Sequence, residues 1–182
     1  MKKYLIHIFA LALLLATGTS YAVPMTYNFS QTGFSGGATI SGSFTGNDLD
    51  MDGAINSFLG EVTNYSVSFS GNMIVGAFSH SFADLGGLIY VLGNGVFLGD
   101  DAILGTEGVA SGPGFGPPGG QFTYESGLGP QGTLGGIVQD NFTGATDGSQ
   151  NLVVVTAVPE PAIIALMGLG LVGIGFSRRK TR

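Results

Sequence analysis

The sequence predicts an all-β protein with an antiparallel β-sandwich or jelly-roll-like domain between two terminal segments of different character. Three observations support this prediction. Short stretches alternate apolar with small polar residues, glycine pairs separate them, and no long stretch outside the termini combines a helical period with helix-forming residues. Because the chain has no cysteine, folding must rest on a hydrophobic core, for which roughly 136 residues between the termini are enough.

Seven stretches are predicted as strands. The clearest is residues 65–70, where Tyr65, Val67 and Phe69 alternate with three serines, as in a strand with one buried and one solvent-facing side. Within the stretch at residues 88–98, Asn94 and Gly95 favour a two-residue hairpin turn. The other stretches are residues 27–30, 38–44, 73–82, 88–98, 121–124 and 152–155.

Residues 111–120 form a low-complexity segment of Gly and Pro that cannot continue a central strand. We interpret this segment as a long surface loop, and the alternative is a boundary between two subdomains. It is not a phosphate-binding loop, since such loops need a strand-to-helix context and usually a lysine.

The N-terminus has the pattern of a signal peptide. Lys2 and Lys3 precede an apolar stretch at residues 5–16, and Ser20-Tyr21-Ala22 fits a small-x-small cleavage site. We therefore expect residues 1–22 to be a signal peptide that is cleaved after Ala22. An uncleaved anchor is the alternative, for which the apolar stretch is short.

The C-terminus combines a Pro-Glu-Pro sequence, an uncharged apolar stretch at residues 162–176 and a basic end. As a helix, the 15 apolar residues would be roughly 22 Å long, which is short for a bilayer core of about 30 Å unless arginine side chains snorkel. The basic end would stay in the cytoplasm. This predicts a transmembrane helix within residues 158–182, and the alternative is a buried helix of a soluble domain.

This tripartite tail resembles the PEP-CTERM sorting signal of Gram-negative bacteria. The resemblance implies recognition by an exosortase, a membrane-embedded cysteine transpeptidase, with a transient stay in the inner membrane and delivery to the cell surface or the extracellular matrix. By match to the family motif, the recognition residues are Pro159, Glu160 and Pro161, and the membrane stop is Arg178, Arg179 and Lys180.

The segment between the termini, an acidic, glycine-rich domain at residues 23–157, has an extreme charge. It contains eleven of the twelve Asp and Glu residues and none of the six Lys and Arg residues, which gives a formal charge of −11. Such a domain repels phosphate backbones, so nucleic acid is excluded as a partner. Divalent metal ions are its natural counterions.

Residues 47–56 contain carboxylates at alternate positions followed by Gly53, like the first half of an EF-hand calcium loop. The pattern departs from that loop at its twelfth position, where Leu59 replaces the bidentate glutamate and Glu61 follows two residues later. The predicted oxygen donors are Asp48, Asp50, Asp52, the carbonyl of Ala54, Asn56 and Glu61.

Three interpretations of residues 47–56 remain open: a calcium site closed by Glu61, an Asp- and Gly-rich turn without metal, and a catalytic use of the carboxylates. If Ca²⁺ binds, we expect a dissociation constant of ~10⁻⁴–10⁻³ M, as in extracellular modules with irregular ligand shells. Such an ion would fix the loop and offset carboxylate repulsion.

Two function classes follow. The first is an exported non-enzymatic cell-surface or extracellular-matrix protein, associated with exopolysaccharide or biofilm as the resemblance implies. The second is a small secreted carbohydrate-active enzyme, a glycoside hydrolase or lyase on a β-sandwich. The absence of a concentrated catalytic motif favours the first class. His80 with Asp84 suggests a triad, although a packed histidine is favoured, and Tyr90 and Tyr124 are candidate sugar-stacking residues.

Overall fold

The computed structural model describes residues 24–92, 97–98, 107–112, 120–127 and 135–159. Within these ranges the chain forms twelve β-strands, three short 3-10 helices and no α-helix, which confirms the predicted all-β class. The 3-10 helices are η1 (Ser35–Gly37), η2 (Ser57–Leu59) and η3 (Phe82–Asp84). The strands are β1 (Met25–Gln31), β2 (Ile40–Gly46), β3 (Ala54–Asn56), β4 (Val62–Phe69), β5 (Phe78–Ser81), β6 (Leu85–Val91), β7 (Phe97–Leu98), β8 (Gly108–Ser111), β9 (Phe122–Gly127), β10 (Gly136–Asp140), β11 (Thr146–Ser149) and β12 (Val153–Val158).

The strands form two six-stranded antiparallel sheets. Sheet A has the order β5-β4-β2-β1-β12-β7, and sheet B has the order β11-β10-β9-β8-β6-β3. Most neighbours in sheet B are consecutive strands, while β12 returns from the end of the described chain to pair with β1 in sheet A. The two sheets pack face to face in a sandwich-like arrangement.

The core lies between the sheets and is rich in aromatic rings. In β4, Tyr65, Val67 and Phe69 are buried while the intervening serines are exposed, so the predicted faces of this strand are confirmed. The Tyr27 ring stacks on Phe44 with 4.9 Å between centroids. Rings packed in this way contribute more than their buried area alone.

Contacts between the sheets show that the strands of sheet B run across those of sheet A. Along β1, Tyr27 packs edge-on against Tyr90 of β6, with ring centroids 5.3 Å apart. Four residues later, Gln31 accepts a hydrogen bond of 3.0 Å from the Tyr124 hydroxyl of β9. Different strands of sheet B therefore cover different points along one strand of sheet A.

The β3 edge of sheet B covers one end of sheet A. A Cβ atom on Gly46, the last residue of β2, would collide with the side chain of Ile55 in β3. At this same end β1 begins and β12 finishes, with Thr26 opposite Val158. The chain segments that precede β1 and follow β12 therefore leave the domain side by side, next to β3.

One of the strand predictions needs correction. Residues 73–82 were predicted as one long or paired strand, but only Phe78–Ser81 is extended, and Met73 is fully exposed in the preceding turn. The strand ends before Phe82, which begins η3 and is exposed. The Asn72 side chain explains why residues 73–75 form a turn instead of a strand, since its Oδ1 accepts hydrogen bonds from the Ile74 and Val75 amides.

Several predictions fall on parts of the chain that the structure does not describe. They are the signal peptide at residues 1–22, the hairpin turn at residues 94–95, most of the loop at residues 111–120 and the apolar stretch at residues 162–176. Among the described residues, no helix has the length and apolar character needed to cross a membrane.

Candidate functional site

The acidic loop, residues 47–53, connects β2 in sheet A with β3 in sheet B. The backbone amide of Asp52 donates hydrogen bonds to the carboxylates of Asp48 and Asp50, at 3.1 and 3.2 Å. The Gly53 amide donates to the second oxygen of Asp48 at 3.0 Å. Gly53 has a φ of 89° and Met51 a φ of 63°. These left-handed residues allow the loop to curl around its own carboxylates.

Glu61 is almost completely buried beneath this loop, with a relative exposure of 1%. Its Oε1 accepts hydrogen bonds from the amides of Leu49 and Asp50 at 2.6 and 3.4 Å, and its Oε2 accepts one from Asn56 at 2.8 Å. The turn of η2, ended by Gly60 at a φ of 78°, brings Glu61 back to the start of the loop. Glu61 thus brings to the loop the carboxylate that is missing at the twelfth position, Leu59, although it lies two residues later in the chain.

Asp48, Asp50 and Glu61 each place a carboxylate oxygen so that all three oxygens lie within 4.8 Å of one another. Two oxygens bound to one Ca²⁺ at about 2.4 Å are separated by at most twice that distance, so this spacing fits a shared ion. All three donors are hard oxygen ligands, which suit Ca²⁺ or Mg²⁺ rather than Zn²⁺. The arrangement fits the ion that the sequence pattern predicts.

The three-carboxylate cluster does not include Asp52, and the other two predicted donors, Ala54 and Asn56, have contacts of their own. Asp52 uses a carboxylate oxygen to accept a hydrogen bond of 2.8 Å from the Ala54 amide. Ala54 itself begins β3, opposite Val91 of β6. Asn56 caps η2, because its side chain accepts a hydrogen bond of 2.9 Å from the Phe58 amide. These residues shape the loop and its connection to sheet B.

The two residues of the suggested triad, His80 and Asp84, each have another hydrogen-bond partner in the structure. His80 Nδ1 lies 3.1 Å from the hydroxyl oxygen of Ser111 in β8, but Ser111 is fully buried. Asp84 accepts hydrogen bonds from the amide and hydroxyl of Ser81, so it caps η3. These bonds hold the pKa of Asp84 below its usual range. Burial lowers the pKa of His80, and the nearby Asp84 charge partly opposes that effect.

No pattern in the sequence indicated the contact between His80 and Ser111, because this contact joins opposite sheets. The half-buried histidine does pack against Phe78, with ring centroids 4.7 Å apart, as the packed interpretation expected. The sugar-stacking prediction is wrong. Tyr90 and Tyr124 are both buried in the core and present no ring face to a ligand.

The sorting segment begins where the fold ends. Pro159 is exposed and directly follows Val158, the last residue of β12. No residue separates the last paired strand position from the predicted recognition sequence. The other predicted sorting residues, which are Glu160, Pro161, Arg178, Arg179 and Lys180, lie outside the described residues.

Comparison with known protein families finds a match in this tail. The family model for the PEP-CTERM protein-sorting motif matches residues 157–180. No curated protein and no solved structure shows significant similarity to the chain. The resemblance of the tail is thereby confirmed: the chain carries a PEP-CTERM protein-sorting motif, which implies export and an exosortase as its processing partner.

Proposed function

We propose that the protein is a non-enzymatic component of the cell surface or extracellular matrix that an exosortase releases from the inner membrane and that associates with exopolysaccharide. The observation that carries this proposal is the sorting motif at residues 157–180, which begins in the last two residues of β12 of a folded, acidic domain. The uncharged residues 162–176 and the basic end are the parts that would hold the tail in the membrane before processing.

Replacing Pro159, Glu160 and Pro161 together with alanine tests the sorting part of this proposal. In a host with the matching exosortase, we expect the variant to accumulate uncleaved in the inner-membrane fraction while the parent chain leaves it. Phe142→Ala, which removes an exposed side chain from the β10–β11 turn, is the control and should be processed normally. Identical fractionation of the parent and the triple variant would contradict the proposal.

The outer face of sheet A supports an association with polysaccharide. Hydroxyl groups of neighbouring strands form exposed pairs on this face, such as Ser43 with Ser66 at 3.1 Å and Ser68 with Ser79 at 2.7 Å. Thr26 and Thr45 form a third, partly buried pair at 3.0 Å. Such a row of uncharged hydroxyls can exchange hydrogen bonds with sugar hydroxyls without desolvating a charge.

A charge placed on the hydroxyl face tests this role. We expect Ser66→Asp to weaken retention of the protein by exopolysaccharide from the producing strain in a pull-down, because the new carboxylate must be desolvated on binding. Ile137→Asp, on an exposed position of sheet B, is the matched control. Equal retention of the two variants, with both melting like the parent, would exclude the hydroxyl face as the contact.

The assignment as a non-enzymatic protein is part of the proposal. It is supported by the buried Ser111 hydroxyl and by the use of Asp84 as a helix cap. Incubation of the protein with the same exopolysaccharide should leave the polymer length unchanged. Chain shortening that is lost on changing one Asp or Glu, in a variant that still melts normally, would favour the carbohydrate-active enzyme instead.

Calcium binding at Asp48, Asp50 and Glu61 completes the proposal. It is supported by the oxygen spacing in this cluster and by a domain charge of −11 that no lysine or arginine offsets. The ion would hold the connection between the two sheets in place rather than perform chemistry.

A further inference from the structure

Four exposed apolar side chains lie on two loops at the end of the domain from which the tail departs. Leu49 and Met51, in the acidic loop, are 60% and 80% exposed. Phe58 and Leu59, in η2, are 60% and 55% exposed. We call these four residues the exit face. Exposure of large apolar side chains at one end of a domain is unfavourable in water, and contact of that end with another phase or molecule relieves it.

The hydrogen-bond register places these loops beside the departing chain. Val158 lies opposite Thr26, and Thr26 lies opposite Thr45, with 3.0 Å between the two threonine hydroxyl oxygens. Adjacent strands are about 4.8 Å apart, so Thr45 lies about 10 Å from Val158. Residues 47–53 begin two positions after Thr45.

The sequence allows little distance between this end of the domain and a membrane that holds the tail. Three residues, Pro159 to Pro161, separate Val158 from the first residue of the apolar stretch. Even a fully extended chain spans only about 3.5 Å per residue, so these three residues reach roughly 10 Å. The headgroup layer on each side of a bilayer is about 5–8 Å thick. A folded domain on such a short tether must rest on the lipid surface.

We propose that the exit face is a docking surface for the lipid bilayer that anchors the protein's own tail. Leu49, Met51, Phe58 and Leu59 then lie in the headgroup layer, where their apolar surface leaves water. Docking orients β12, so that the recognition sequence is held at the membrane surface where a membrane-embedded exosortase acts. The inference rests on the proposed function for the anchoring of the tail, but it does not require processing.

The carboxylates of the acidic loop determine which lipid the test should use. Asp48, Asp50 and Asp52 would repel anionic lipid, so zwitterionic phosphatidylcholine vesicles separate docking from any effect of Ca²⁺. The full chain, with its tail intact, is reconstituted into these vesicles and collected by flotation. Because the chain has no cysteine, a single Cys introduced by mutation can carry an environment-sensitive fluorophore.

The informative pair of variants is Met51→Cys and Met73→Cys. Both side chains are exposed methionines, but Met73 lies in the β4–β5 connection at the opposite end of sheet A, where Asn72 contacts η1. We expect the label at position 51 to show blue-shifted emission and loss of fluorescence with spin-labelled phosphatidylcholine, while the label at position 73 shows neither. Leu59→Cys repeats the test on the second loop, in case the variant at position 51 folds poorly.

Equal quenching at positions 51, 59 and 73 in chains that float with the vesicles would overturn the docking surface and leave the sorting proposal intact. A chain that does not float would overturn the membrane-held tail, and the docking surface with it. Quenching at positions 51 and 59 alone, in chains that melt like the parent, would support the inference.

Discussion

At Glu61, one buried carboxylate connects the acidic loop and the end of β3 to the start of β4. Its two oxygens accept three backbone hydrogen bonds, from Leu49, Asp50 and Asn56. Hydrogen bonds to a charged acceptor contribute more than neutral ones, typically about 1.5–3 kcal/mol each, and this offsets the cost of burying the charge. The same carboxylate lies within reach of Asp48 and Asp50, so a cation would relieve repulsion among all three.

The calcium proposal predicts a thermal shift that depends on Glu61. With a dissociation constant of ~10⁻⁴–10⁻³ M, 10 mM CaCl₂ should stabilise the folded protein by about 1.4–2.7 kcal/mol. This gain should appear as a higher Tm in differential scanning calorimetry. Glu61→Gln should abolish it, because the cluster loses a negative charge and one of the two Glu61 oxygens.

Asp52→Asn is the control for this experiment, since the Asp52 carboxylate lies outside the cluster and serves the Ala54 amide. It should retain most of the calcium-dependent gain. An unchanged Tm of the parent protein in 10 mM CaCl₂ would contradict the calcium site.

His80 predicts a separate dependence of stability on pH. Burial lowers its pKa below the ordinary value of 6.5, so the unfolded chain binds a proton more readily than the folded protein. The stability that neutral His80 provides is therefore complete above pH 6.5 and is lost as the pH falls through the interval below it. Urea unfolding between pH 7 and pH 5 should show this decline, and His80→Asn should flatten it.

Asp84 and Glu125 also have shifted pKa values, but they change stability in another pH range or in the opposite direction. The pKa of Asp84 is lowered from 3.8, so its contribution is lost only under more acidic conditions. Burial raises the pKa of Glu125, which lowers stability as the pH rises above 4.5. Both effects are common to the parent and to the variant. A slope between pH 7 and pH 5 that is the same in both proteins would contradict the role of His80.

At the scale of the elements, the sequence predicted the long strands of sheet A but missed four of the six strands of sheet B. Strands β1, β2, β4 and β12 have seven, seven, eight and six residues, and clear alternation or β-branched residues identified them. Four strands were missed, because they have only three to five residues and contain Gly, Asp or Asn, which are also typical of turns. The missed strands are β3, β8, β10 and β11.

Gln31 is an example of a residue whose burial local sequence patterns do not predict. As the last residue of β1, it is buried, and its amide connects three elements of the fold. Its Nε2 donates to the Ser126 hydroxyl at 3.0 Å and to the carbonyl of Asn151 at 2.6 Å, and its Oε1 accepts from Tyr124 at 3.0 Å. A polar side chain at a core position is stable here only because the opposite sheet supplies its partners.

Gln31→Ala is therefore expected to destabilise the protein by about 1–3 kcal/mol, because Tyr124 and Ser126 lose a buried hydrogen-bond partner. Asn28→Ala is the matched control, since Asn28 is exposed on the same strand and should change stability by less than about 0.5 kcal/mol. Urea titration of both variants measures the difference. Equal midpoints would show that the buried amide network does not contribute to stability.

At the scale of the whole molecule, the acidic charge is balanced by no lysine or arginine between residues 23 and 158. Hydrogen bonds to backbone and side-chain groups take the place of ion pairs. Asp147 is an example, since burial raises its pKa but hydrogen bonds from Ser35, Asn72 and Gly148 outweigh that effect and hold the pKa low. The remaining carboxylates repel one another over the whole domain.

This charge predicts that salt stabilises the protein. Raising NaCl from 0.01 to 0.1 M shortens the Debye length from about 30 to about 10 Å, which weakens repulsion among the carboxylates without breaking any ion pair to Lys or Arg in the domain. We expect a higher Tm by calorimetry at the higher salt concentration. Sucrose of equal osmolality is the control, and a Tm that falls or stays constant in NaCl would contradict the prediction.

The sequence by itself determined the sorting motif, the all-β class, the charge and the carboxylates of the acidic loop, because each depends on residue types that are close together in the chain. Only the tertiary structure decided which carboxylates converge, that Ser111 and Tyr124 are buried, and that the acidic loop lies at the end of the domain where the tail departs. The convergence of the carboxylates depends on the η2 turn, which returns Glu61 to the loop. The other two features depend on the pairing of β12 with β1 and on the packing of sheet B across sheet A. Contacts between residues more than a hundred positions apart leave no periodic trace in the sequence.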